Sequence, residues 1–339
     1  MTDSNSEPFF FELGDIELQS GETLYQARLA YQTYGRLNTG KTNVVVLPTF
    51  YTGNHIRNEG FFGTDRAINP DRHFIVSINL FGNGLSTSPS NAEDRNSGGA
   101  FPLVTLYDNV YCQHRLLSEV FSIRKISLVA GWSMAACQAY QWAAQYPDIV
   151  ENILPFCGSA KTSTHNIVFL EGVKAALTAD QNFQQGNYKT PPEQGLKAFA
   201  RVYAGWAFSQ TFYRQALFKN LGFDSYEALL KDWEADHLTW DANNLLAMLA
   251  TWQAGDISAN SLYNHDFPQA LAAIKAKCIT IPCSDDLYFP PEDNEYEANL
   301  ITNGECRIFN SPWGHCVASP GNSHQFQDFL DSAIYELIG

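Results

Sequence analysis

Apolar positions along the chain follow two rhythms. The runs Asn43-Val44-Val45-Val46-Leu47, His73-Phe74-Ile75-Val76-Ser77-Ile78 and Lys125-Ile126-Ser127-Leu128-Val129-Ala130 have strand length and β-branched composition without strict alternation. That pattern predicts strands buried on both faces of a sheet. Between them, Asp108 to Phe121 and Ala135 to Tyr146 carry apolar residues at helical spacing. Strands alternating with helices predict a mostly parallel α/β sheet.

After residue 160 the strand rhythm stops. Gly195 to Leu217, Tyr226 to Asp236 and Ala242 to Trp252 carry aliphatic and aromatic residues at helical spacing. Strand-like runs return at Cys278-Ile279-Thr280-Ile281 and Cys306-Arg307-Ile308-Phe309, and an amphipathic helix is predicted from Ser323 to Leu337. A helical block interrupting a strand-and-helix pattern reads as an insertion. Residues 1–160 and 271–339 are therefore expected to form one core domain, with 161–270 a helical lid over the carboxyl ends of the strands, where open α/β sheets bind ligands.

Composition narrows the class. With 45% hydrophobic and 17% charged residues over 339 positions, the chain has ample material for a core. Its net charge of −15 argues against a nucleic-acid or anionic-membrane partner. The seven cysteines are scattered and odd in number, with no C-x-x-C pair. They form neither a disulfide framework nor a zinc pattern, so no metal is expected and a reducing compartment is. The polar, acidic start Met1 to Glu7 shows no secretory signal, and no apolar run is long enough to span a bilayer, so a cytoplasmic location is expected.

The sharpest chemical signal is Leu128-Val129-Ala130-Gly131-Trp132-Ser133-Met134-Ala135-Ala136. A buried strand runs into a tight turn and out into a helix, the setting of a nucleophile elbow, whose sharp turn needs small neighbours while it pushes the serine hydroxyl into the open. Ala135 stands where G-x-S-x-G has its last glycine and is small enough for the helix to pack closely. The predicted fold is the α/β-hydrolase fold with Ser133 as nucleophile. In that fold the order is Ser, then Asp or Glu, then His on a loop after the last strand. His315, in Ser311-Pro312-Trp313-Gly314-His315, is so placed; His324 lies inside the last helical pattern, and the other six histidines come too early. The acid should end the preceding strand, where Asp285 and Asp286 stand side by side and the residues alone do not separate them. One oxyanion donor is the amide after the nucleophile, that of Met134, and the other comes from the loop Leu47 to His55.

At this point the chain resembles the homoserine O-acetyltransferase family over nearly its whole length. The matching stretches are Phe50-Tyr51-Thr52-Gly53, Ala67 to Phe74 leading into Asn79-Leu80-Phe81-Gly82, and Phe101-Pro102-Leu103-Val104-Thr105. Further on come Gln138-Ala139, Trp142, Tyr146-Pro147-Asp148, Ala200-Arg201, Trp240-Asp241-Ala242-Asn243, Asp286 to Pro291 and Gly314-His315. The resemblance implies an acyl-enzyme on Ser133, Asp286 as the acid, the Tyr51 amide as second oxyanion donor, and a lid forming a tunnel to the serine. It also implies no cofactor beyond acyl-CoA as co-substrate, small-molecule donor and acceptor, and a homodimer.

Three positions depart from the family. Trp132 replaces its usual glycine, Cys316 replaces an aspartate suited to an ammonium, and Phe208 replaces a tyrosine seven positions after Arg201, the residue implied to bind a carboxylate. The leading expectation is thus an acyltransferase acting on a hydroxyl compound other than homoserine. The alternative is an ester hydrolase using the same three residues, which the tryptophan before the serine also suits. A non-catalytic binding protein on this fold is the third reading.

Overall fold

The β-branched runs form the centre of a single sheet. In the computed structural model, which describes residues 7–93 and 95–339, eight strands carry it. They are β1 (Phe9–Glu17), β2 (Thr23–Tyr34), β3 (Val44–Pro48), β4 (Phe74–Ile78), β5 (Leu128–Trp132), β6 (Asn152–Phe156), β7 (Lys277–Thr280) and β8 (Gly304–Cys306). Their order is β1-β2-β4-β3-β5-β6-β7-β8. β1–β2 and β2–β4 pair antiparallel, and every later pair is parallel. All residues of β3, β4 and β5 are buried, which is why these strands lack alternation.

The helices are α1 (His55–Asn58), α2 (Leu106–Phe121), α3 (Met134–Gln145), α4 (Thr164–Thr178), α5 (Glu193–Ala207), α6 (Gln210–Arg214), α7 (Tyr226–His237), α8 (Ala242–Gln253), α9 (Phe267–Ala272), α10 (Pro291–Leu300) and α11 (His324–Ile338). Six of them, α4 to α9, lie between β6 and β7. The expected boundary at residue 270 falls inside α9, whose Ala270 and Leu271 pack into the same core cluster as β2, β3 and β5. Among the described residues, no helix is long and apolar enough to cross a membrane.

Two expectations need correction, and one element carried no signal. The helix expected over Gly195 to Leu217 breaks after Ala207, because Phe208 is extended (φ −111°, ψ 150°) and the Ser209 side chain caps α6 by accepting from the Phe212 amide. The strand expected at Cys306 to Phe309 ends at Cys306, and only an isolated bridge joins Phe309 to Cys283. The edge hairpin β1–β2 went unmarked. It is half exposed, and its register shifts at Glu12/Gly14 and Gly14/Ile16, so no clean period of two survives in its sequence.

One buried carboxyl shapes the molecule's response to pH. Glu297 on α10 accepts from the Ala160 amide at 2.8 Å and from Asn294 Nδ2 at 3.0 Å, while Asn294 also donates to Gly158 O. Burial pushes its carboxyl up to about 8, with those hydrogen bonds opposing. The native state therefore keeps a proton that the unfolded chain releases near 4.5. The resulting stabilisation is complete below that pH and is lost as pH rises through about 8. Glu297→Gln, whose carbonyl can still accept from Ala160, should flatten this decline, at roughly 1.4 kcal/mol per pH unit. Urea midpoints at pH 5 and pH 9 for both proteins test it, and equal pH slopes would contradict it.

Candidate active site

Ser133 follows β5 with φ 60° and ψ −128°, a strained conformation for a residue with a Cβ. The turn is held from both sides. The Ser133 amide donates to Phe156 O at 3.1 Å, and the Ser133 carbonyl accepts from the Ala136 amide at 2.9 Å. A Cβ on Gly131 would sit 2.4 Å from Ala135 Cβ, and one on Gly158 would sit 2.4 Å from Ala136 Cβ and 2.6 Å from Ser133 O. Gly131 lets α3 fold back onto β5; Gly158, not singled out in the sequence, lets the chain after β6 pass beneath the serine.

Of the two adjacent aspartates, the structure brings Asp286 to the histidine. His315 Nδ1 lies 2.7 Å from Asp286 Oδ2, and both side chains are buried. Asp286 Oδ1 accepts from the amides of Tyr288 and Phe289 at 2.8 and 3.2 Å, which fixes the carboxylate. Asp285 instead accepts from the Ser284 hydroxyl at 2.9 Å. The His315 ring stacks on Trp132 at 5.2 Å and meets Tyr288 edge-on at 4.7 Å. With Nδ1–H committed to the carboxylate, Nε2 is left as the basic nitrogen. Among the described residues no hydrogen bond joins Ser133 to His315, a contact often loose before substrate binds.

Ser133 and His315 line one cavity of about 380 Å³ together with Tyr51, Trp132, Phe208 and Cys316. Phe208 reaches it from the break between α5 and α6. Gly314, at φ 66°, lets the His315 loop approach that break, since a Cβ there would lie 2.8 Å from the Ser209 amide nitrogen. The Ser209 hydroxyl donates to Pro312 O in the same loop.

Tyr51 follows β3, and its hydroxyl donates to Leu245 O on α8 at 3.1 Å. Among the described residues, neither the Tyr51 nor the Met134 amide donates to a backbone carbonyl. The Met134 amide opens α3, where first-turn N–H groups have no intrahelical acceptor. A buried relay ties α2 and α3 to the loop after β3: Trp142 Nε1 donates to Gln113, Gln113 to Gln138, and Gln138 to Thr49 O, at 2.8, 2.7 and 2.8 Å.

Arg201 requires correction as a substrate-binding residue. It is half exposed, ion-paired with Glu234, and does not line the cavity. Its place on α5 turns it outward, beside α7. Arg57, Asp232, Asp236 and His237 line the cavity without having been singled out. Arg57 carried no signal beyond its loop. His237, one of the six histidines too early in the chain to be the base, bonds Trp233 O through Nδ1 at 2.9 Å, and burial lowers its pKa, with Asp236 opposing. Burial, then the charge of Asp286, pushes the Cys316 thiol up, so it is neutral. Among the described residues, no group of three or more metal-ligating side chains occurs.

A sequence profile described as alpha/beta hydrolase fold matches residues 42–319. The chain is 35% identical to an ethyl acetate hydrolase of Pseudomonas veronii, over 99% of this chain and 97% of the other. It is 31% identical to a homoserine O-acetyltransferase of Nostoc punctiforme, over 88% of each chain. A crystal structure of an acetylester hydrolase from Corynebacterium glutamicum superposes with a TM-score of 0.94 at 34% identity, covering 98% of this chain and 95% of that one. These relatives are esterases and acyltransferases, and the more similar of the three are hydrolases. The protein belongs to the α/β-hydrolase fold family.

Proposed function

We propose that this enzyme is a carboxylic ester hydrolase acting on short acyl esters, acetates above all, through an acyl-enzyme on Ser133. The carrying observation is the Asp286–His315 pair opening onto the same cavity as Ser133. Ser133 Oγ attacks the ester carbonyl as His315 Nε2 takes its proton, and the amides of Tyr51 and Met134 hold the tetrahedral oxyanion. Collapse breaks the ester C–O bond, and His315 returns the proton to the departing alcohol. Water then attacks the acyl-serine with His315 again as base, releasing the acid and restoring Ser133. The helices between β6 and β7 act as the lid.

Hydrolysis is favoured over transfer by the acceptor side of the cavity. Next to His315, the neutral Cys316 thiol offers an ammonium no charge, and Arg201 faces away from the cavity. The ethyl acetate hydrolase and acetylester hydrolase among the relatives support the same choice. Homoserine would have to give up water around both its charges, and beside His315 the Cys316 thiol does not compensate its ammonium.

The test measures acetate release from ethyl acetate and p-nitrophenyl acetate, with and without homoserine, and acetyl transfer from acetyl-CoA to homoserine. Ester hydrolysis should exceed homoserine acetylation by at least about 100-fold in kcat/KM. Homoserine acetylation matching ester hydrolysis would reverse the reading.

A further inference from the structure

We propose that a recess outside the catalytic cavity binds the alcohol half of a polyhydroxylated ester, a sugar or polyol acetate. The inference rests on the ester-hydrolase reading and adds to it a leaving group. The recess measures about 500 Å³ and shares Thr52, Arg57 and Asp236 with the catalytic cavity, so a molecule whose ester reaches Ser133 would extend into it.

Its lining divides into fixed and unspent polar groups. Asn83 donates to Gly53 O at 3.3 Å and Asn79 Oδ1 at 2.9 Å, and Asn244 bonds both the amide and the hydroxyl of Ser90, at 3.1 and 2.8 Å. These make a rigid floor. The Thr52 hydroxyl and the Asn54 side-chain nitrogen have no hydrogen-bond partner among the described residues, the Asn54 oxygen being occupied by the Arg57 amide. The Asp236 carboxylate has only the neighbouring His237 ring, at 3.5 Å. Donors and acceptors thus face the recess together.

The second observation is Trp240. Of the chain's seven tryptophans, the other six each pack a neighbouring aromatic ring. Trp240 packs none among the described residues, is half-buried, and lines the recess between Thr239 and Asp241. An indole face flanked by hydroxyl, amide and carboxylate groups matches a pyranose or polyol, which presents C–H groups to the ring and hydroxyls around it. A purely apolar alcohol would leave Asp236 and Asn54 unmatched. An anionic one would meet two carboxylates, Asp236 and Asp241, against one cation, Arg57.

Kinetics with glucose 6-acetate, ethyl acetate and p-nitrophenyl acetate test this. Wild type should favour glucose 6-acetate over ethyl acetate by about tenfold in kcat/KM. Trp240→Ala should raise KM for glucose 6-acetate by about tenfold while changing the other two esters less than about twofold. Asn54→Ala should change KM in the same direction. Equal losses on all three esters would make Trp240 merely structural, and no preference for the sugar ester would remove the subsite; either result overturns the inference and leaves ester hydrolysis standing. If no ester is cleaved, the hydrolase reading falls by itself. Calorimetry of glucose 6-acetate with the Ser133→Ala protein then decides: binding lost on adding Trp240→Ala upholds the subsite, and absent binding overturns it.

Discussion

Ser133→Ala is expected to lower kcat for acetate esters by about a millionfold. The strained backbone at φ 60° holds the side chain at the cavity, and the replacement keeps the turn while removing the hydroxyl proposed to carry the acyl group. His315, Asp286 and the two amides would remain, so substrate binding should persist and residual catalysis should reflect the oxyanion donors alone. The same substitution should abolish labelling by a fluorophosphonate. Intact-mass spectra should show one adduct on wild type and none on the variant. A wild-type adduct on another residue, such as Cys316, would overturn the mechanism.

The second large effect distinguishes the neighbouring aspartates. Asp286→Asn is expected to reduce kcat by about 10⁴-fold, because an amide can donate to Nδ1 and so present His315 in the wrong tautomer. Asp285→Asn should cost little, since its carboxylate meets the Ser284 hydroxyl rather than the ring. The geometry explains why only one serves. Asp286 is pinned by the amides of Tyr288 and Phe289, which turn its second oxygen toward His315. Steady-state kinetics on p-nitrophenyl acetate checks the pair, and the reverse ranking would contradict the geometry.

What could be read without coordinates follows from where the signal resides. The central strands and the elbow are local: a run such as Val44-Val45-Val46 declares burial on both faces, and Gly131-Trp132-Ser133 sits between strand and helix in one short window. The choice of Asp286 needed the turn that bends its carboxylate back, which the residues alone did not specify. Phe208 was placed by family pattern inside a supposed continuous helix, and only the cap at Ser209 shows why its ring leaves the helix. Arg201 misled because a helix position fixes spacing but not which face meets the cavity; Glu234 across the gap claims it. Arg57, Asp236 and Gly158 were invisible because their meaning is a distance to residues remote in sequence.

The junction at Gly314 ties the inserted helices to the chemistry more closely than a cover is tied to a box. Ser209 grips the carbonyl of Pro312, and the missing side chain of Gly314 admits the start of α6 against the loop that carries His315. A rigid outward swing of α5 and α6 would therefore drag on the base itself. The recess that shares Thr52, Arg57 and Asp236 with the cavity lies apart from that junction. Removal of the inserted helices would not yield a smaller, more open enzyme: the same cut that bared the serine would unmoor the imidazole proposed to activate it.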